Sequence, residues 1–124
     1  MKGTLITLLT VMLLMFAPMA SSAASAVSEI TEIMINLNHY PSADEKRMLE
    51  TIVADSDATS AEKTIAGALM RMQHRVGGED ADKLRKLAAA ESTTPDERVI
   101  AEVLLNINHH PSDMDIKRLK MVAE

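Results

Sequence analysis

A repeat with a period of 35 residues constrains the fold of this chain more than any other feature. Shifting the sequence by one period aligns residues 27–124 with themselves without a gap. Self-similarity at a period between about 20 and 50 residues is typical of proteins built from stacked supersecondary units. We therefore divide the region into three repeats, at approximately 27–58, 59–93 and 94–124. Three sets of equivalent positions are identical: Ile30/Ile65/Ile100, His39/His74/His109 and Leu49/Leu84/Leu119.

Each repeat contains two segments with helical periodicity. The first segment, which we name the A helix, has apolar residues at the spacing of one helix face, as in Ile30, Met34 and Leu37. The second, the B helix, has a narrower apolar stripe around Leu49 and its equivalents. Capping sequences such as Thr94-Pro95 precede several of these segments. The sequence predicts an all-α fold of three helix-turn-helix repeats, about six helices, arranged as a short α-solenoid or a compact helical bundle.

The N-terminus is typical of an export signal. Lys2 precedes an apolar run over residues 5–16, and small residues that include Ala24 and Ala26 follow it. The run is too short to span a membrane. We expect residues 1–26 to be a cleaved secretory signal peptide, cut before Val27, with a cut after Ala23 as the alternative. The mature chain, 27–124, is then one helical domain that is periplasmic or secreted and has no stable membrane anchor.

Composition excludes several classes of function. The chain has no Cys and a formal charge of −5, and Tyr40 is the one aromatic residue outside the signal peptide. Cysteine-ligated metals and disulfide frameworks are therefore excluded, and an acidic chain with so few aromatic rings is a poor nucleic-acid binder. No nucleophile–base pair and no glycine-rich phosphate loop can be assembled, so we expect neither an enzyme nor a bound cofactor.

The alternating A and B helices across Ser28–Glu124 resemble the helical-hairpin repeats of the tetratricopeptide type. The Trp, Leu-Gly and Tyr signature positions of that family are absent, and the period here is one residue longer. The resemblance therefore implies hairpin architecture and assigns no binding residues.

All four histidines lie at the turn between an A helix and a B helix: His39, His74, His109 and His110. The first interpretation is structural, in which His39, His74 and His109 cap the carbonyl ends of the A helices. The alternative is a copper-type metal site, because imidazoles and thioethers both suit copper. Helices pack about 8–10 Å apart, so we expect equivalent histidines in stacked hairpins to lie too far apart to share an ion. The local set His109, His110 and Met114, with Asp113 as the alternative to Met114, is then the candidate site, and no metal is favoured.

Two further residue patterns complete the sequence predictions. Met34, Met70 and Met72 fall on apolar faces, where we expect them to fill the core. Gly77-Gly78 is aligned with the Pro-Ser turns of the other two repeats, which indicates a flexible joint.

Three functions remain open from the sequence. The first is a non-enzymatic helical-repeat adaptor that binds a protein or peptide along one face. The second is a small periplasmic metal-binding protein that uses the turn histidines. The third is a structural or stress protein that self-associates as a homo-oligomer, because an open array of three repeats leaves two uncovered end faces.

Overall fold

The computed structural model describes residues 25–124, which fold into six α-helices with no strand among them. The all-α prediction and the expected number of helices are confirmed. The predicted signal peptide falls almost entirely on residues 1–24, outside the described part. None of the helices over 25–124 has the length and apolar character needed to cross a membrane. In chain order the helices are α1 (Ala26–Ile35), α2 (Ala43–Ala54), α3 (Ser60–Arg71), α4 (Gly78–Ala89), α5 (Pro95–Asn106) and α6 (Asp113–Ala123).

The helices close into a ring. The A helices α1, α3 and α5 contact one another at the centre, and the B helices lie around them. Each B helix packs mainly against the A helix that follows it: α2 against α3, and α4 against α5. The last B helix, α6, returns to pack against α1 in the same way. The fold is therefore the compact bundle rather than the open solenoid. The expectation of two uncovered end faces is wrong, because α6 and α1 cover each other.

The core repeats with the sequence. Thr31, Ala66 and Ala101 occupy the equivalent position on the three central helices, and all are completely buried. Small side chains at this position let the three central helices approach closely. The Thr31 hydroxyl is satisfied because it donates to the Val27 carbonyl at 2.6 Å. Larger apolar residues surround this axis, with complete or nearly complete burial of Ile30, Ile65, Ile100, Leu49, Leu84 and Leu119.

The B helices do not begin alike. Ser42 and Ser112 cap α2 and α6 with capping boxes, in which the side chain accepts from the backbone three residues on. Gly77 is the equivalent N-cap of α4 and provides no side-chain bond. The sequence alignment of this turn was wrong by one residue, since Gly77 matches the serines and Val76 matches the preceding prolines.

The methionines divide between the core and the surface. Met34 and Met72 are buried, and Met70 is half-buried against the core, as their positions predicted. Met48, Met114 and Met121 are exposed.

Candidate metal centre

Each A helix delivers a histidine to the same end of the bundle. His39 follows the C-cap of α1 by three residues, and His74 and His109 follow the C-caps of α3 and α5 by two. Because α1, α3 and α5 surround one axis, the three turns that follow them meet at that axis. One imidazole from each helix pair is therefore placed in a common cluster, which we name the three-histidine cluster.

The three rings are in contact. Their centroids lie 5.5 Å apart for His39 and His74, 5.1 Å for His39 and His109, and 4.6 Å for His74 and His109. One nitrogen from each ring can be chosen so that all three lie within 4.8 Å of one another. The prediction that equivalent histidines lie too far apart to share an ion is wrong. It applied the spacing of an open stack to turns that the closed ring directs toward one point.

Backbone hydrogen bonds hold two sides of this triangle together. The His39 N–H donates to the His109 carbonyl at 2.7 Å, and the His109 N–H donates to the His74 carbonyl at 2.8 Å. His39 and His109 both have a φ of 71°, in the left-handed region that is costly for residues with a Cβ. Such strain persists only where surrounding contacts determine the conformation. The turns are thus fixed by tertiary contacts rather than by local preference.

An amide orients one of the rings. The Nδ1 of His39 lies 2.7 Å from the Asn38 Oδ1, which can only accept, so Nδ1 is the donor. A neutral imidazole with its proton on Nδ1 has a free lone pair on Nε2. Hydrogen bonding of the second nitrogen is the usual way in which proteins fix the orientation of a metal-ligating histidine. His39 is therefore prepared to ligate through Nε2.

The surroundings of His109 favour its neutral form. Partial desolvation, followed by repulsion from His74 and His39 and then from His110 and Arg75, holds the pKa of His109 below its ordinary value of 6.5. The cluster contains no carboxylate. The lowered pKa favours the deprotonated form of His109, the form in which an imidazole binds a metal.

Capping of the A helices, the structural role suggested by the sequence, does not describe the positions of these histidines. Within residues 25–124 the imidazoles of His39, His74 and His109 make no hydrogen bond to an A-helix carbonyl, because they lie beyond the helix ends. Contacts between the rings are what could give them a structural role.

The structure separates the residues of the local metal site that the sequence suggested, His109, His110 and Met114. His109 joins His39 and His74 in the three-histidine cluster, and His110 lies outside it. The His110 Nδ1 lies 3.1 Å from the carbonyl oxygen of Pro111, and Met114 is 67% exposed. The sequence signal for the cluster was the identity of all three repeats at one turn position, and the missing information was the closure of the ring.

Comparison of the chain with protein families, curated proteins and solved structures finds no match. The resemblance to tetratricopeptide-type hairpins therefore stays a prediction about architecture.

Proposed function

We propose that this protein is an exported metal-binding protein that holds one divalent transition-metal ion with His39, His74 and His109. The observation that supports the proposal is the convergence of three exposed imidazoles from three separate helix pairs. Imidazole suits zinc, copper and nickel, whereas calcium and magnesium require oxygen ligands. The cluster offers nitrogen ligands alone, so the ion belongs to the zinc–copper–nickel class.

The spacing of the rings fits such an ion after a small adjustment. A tetrahedral ion with metal–nitrogen bonds of about 2.0–2.1 Å separates its nitrogens by about 3.3 Å. The nitrogens lie within 4.8 Å, so ligation requires the rings to move together by roughly 1 Å. Exposed side chains make such movements by small rotations about their χ angles. Three protein ligands leave a fourth position open, which is the arrangement typical of reactive rather than purely structural zinc sites.

A metal titration with matched variants tests this proposal. Purified chain is titrated with Zn²⁺ and with Cu²⁺ by calorimetry, and the stoichiometry is checked by native mass spectrometry. We expect one ion per chain, and we expect His39→Ala, His74→Ala and His109→Ala each to abolish tight binding. His110→Ala is the control, because it removes an exposed imidazole that lies outside the cluster.

Two results would contradict the proposal. The first is equal metal affinity in the wild type and in all three cluster variants. The second is loss of thermal stability in each cluster variant without any metal binding by the wild type, which would assign the rings a purely structural role. The protein- or peptide-binding function and self-association stay predictions from the sequence.

A further inference from the structure

An open groove borders the three-histidine cluster on one side. It has a volume of about 720 Å³, and its lining includes His74, Gln73, Met70, Tyr40 and Lys46. His74 belongs to the cluster, and Tyr40 directly follows His39 in the chain. One proposed metal ligand therefore lines the groove, and the other lining residues combine apolar side chains with polar groups.

The repeat provides an internal comparison for this groove. A shift of 35 residues relates most of its lining to that of a second groove, which has a volume of about 280 Å³ and is also lined by Val76 and Arg85. In the second groove Arg75 replaces Tyr40, and Ala81 replaces Lys46. The larger groove thus has an aromatic ring and an ammonium group at two positions where its equivalent has neither, and it also has Arg71 where the equivalent has Asn106. General features of the repeat do not account for this difference.

Lys46 is available to a ligand. Its Nζ lies 5.7 Å from the centroid of the Tyr40 ring, a cation–π contact that holds the ammonium beside the groove. Among residues 25–124 Lys46 has no ion-pair partner. The other cation of the groove, Arg71, is already neutralised, because it donates two hydrogen bonds to Asp80 at 2.6 and 3.0 Å. Lys46 is therefore the cation of the groove that an anionic ligand would contact.

The bound ion would attract an anion as well. Three neutral imidazoles leave the full divalent charge on the ion, since the cluster contains no carboxylate. The positive charge of Arg75 acts on the same cluster. An oxygen anion in the open coordination position would reduce this charge, and carboxylates are common ligands of zinc and copper.

We infer that the groove binds a short dicarboxylate that bridges the metal ion and Lys46. One carboxylate fills the open position on the ion held by His39, His74 and His109, and the other pairs with the Lys46 ammonium. The carbon chain between them lies against Met70 and Tyr40. This inference rests on the proposed metal site, and it identifies the class of small molecule that binds there together with the ion.

The experiment uses the Cu²⁺-loaded protein and two acids of equal chain length. Succinate has two carboxylates and butyrate has one, so their comparison isolates the second carboxylate. Binding is followed by the visible d–d absorption and the electron paramagnetic resonance spectrum of the ion, which respond to a new ligand. We expect a saturable shift with succinate and about tenfold weaker binding of butyrate, the ratio that one charge-assisted hydrogen bond produces.

Two variants separate a specific contact from general charge. Lys46→Gln should bind succinate no more tightly than butyrate while its affinity for Cu²⁺ is unchanged. Arg47→Gln removes the same charge from the next residue of α2, where Arg47 is exposed and paired with Asp44 at 2.9 Å. It should retain the preference for succinate. Equal loss of that preference in both variants would overturn the inference, because only long-range charge would then be acting.

The remaining outcomes distinguish this inference from the proposed function. If the wild type binds Cu²⁺ through the cluster and shows no preference for succinate, the inference fails and the metal site stands. If the wild type binds no metal, both fail. Two further results would also overturn the inference. The first is removal of copper from the protein by succinate, and the second is a sedimentation experiment in which two chains share one ion. In the first case succinate competes for the ion, and in the second the partner chain fills the open position.

Discussion

The left-handed backbone at His39 leads to a prediction about substitution by glycine and alanine. At a φ of 71°, a residue with a Cβ is strained by about 1–2 kcal/mol, whereas glycine is not. Glycine in turn gives the unfolded chain more conformational freedom, which costs about 0.4–1 kcal/mol of stability relative to alanine. The two terms together predict that His39→Gly is more stable than His39→Ala by about 0.8 kcal/mol, in a range of about 0–1.6 kcal/mol.

His74 provides the matched control for this comparison. It occupies the equivalent turn position, but it is not among the residues with positive φ. The strain term is therefore absent, and His74→Ala should be more stable than His74→Gly by about 0.4–1 kcal/mol. The glycine and alanine variants of one histidine both lack the imidazole. The free energy lost with its ring contacts and hydrogen bonds, such as the bond to Asn38, therefore cancels when the two variants are compared. The order of stability between glycine and alanine should thus reverse between His39 and His74.

The measurement is urea unfolding of the four variants in the presence of a chelator, with free energies of unfolding obtained by linear extrapolation. The chelator removes any contribution of bound metal. The same preference for alanine at both sites would refute the reasoning, because it would mean that the turn at His39 relaxes to negative φ at no cost. His109 has the same φ of 71° and should follow His39 in the direction of the effect.

Three further predictions follow from particular residues. The pKa of His109 is lowered in the folded state, so the unfolded state binds more protons below about pH 6.5, and the metal-free protein should become more stable as the pH rises toward neutrality. Melting temperatures that stay flat or fall between about pH 5 and 7 would contradict this prediction. Gly77→Ser should stabilise the protein by about 0.5–1 kcal/mol in thermal or urea unfolding, because it reduces the conformational freedom of the unfolded chain and adds an N-cap side chain where a new Cβ has no neighbour within 4 Å. The intact mass of the exported chain should correspond to a start at Ala24 or Val27. The form that starts at Ala24 should be the more stable in thermal unfolding, because it keeps the Ser25 cap of α1 and cleavage before Val27 removes that cap.

Local features of the sequence were sufficient to predict the helices. Thr94 caps α5 with Pro95 at the first helical position, and Ser42 begins α2 with a capping box, as their sequence patterns indicate. The apolar residues of the A helices lie on more than one face, since Met34 of α1 is completely buried and Ile35 is half-buried against the core, and such helices are expected at the centre of a bundle. Helix identity, approximate bounds and core membership could therefore be predicted from capping residues and from the spacing of apolar residues along each helix.

The closure of the ring could not be predicted in the same way. It depends on the packing of α6 against α1, between residues at opposite ends of the domain. The periodicity of the sequence gives the composition of each repeat, but not the rotation that relates one repeat to the next. The left-handed turns at His39 and His109 were missed for a related reason. Neither position has a glycine to indicate positive φ, and hydrogen bonds between separate turns impose this conformation.

Closure explains why one repeated sequence produces both a buried axis and a candidate metal centre. Residues at equivalent positions of α1, α3 and α5 surround the same axis, so each such position is represented three times around it. Within the bundle the axis has little room, and the position contains the small residues Ala66 and Ala101. At the end of the bundle the axis is open to solvent, and the repeated residue is the histidine. An ion at that point would bind all three helix pairs at once, so its binding free energy would add directly to the stability of the closed ring.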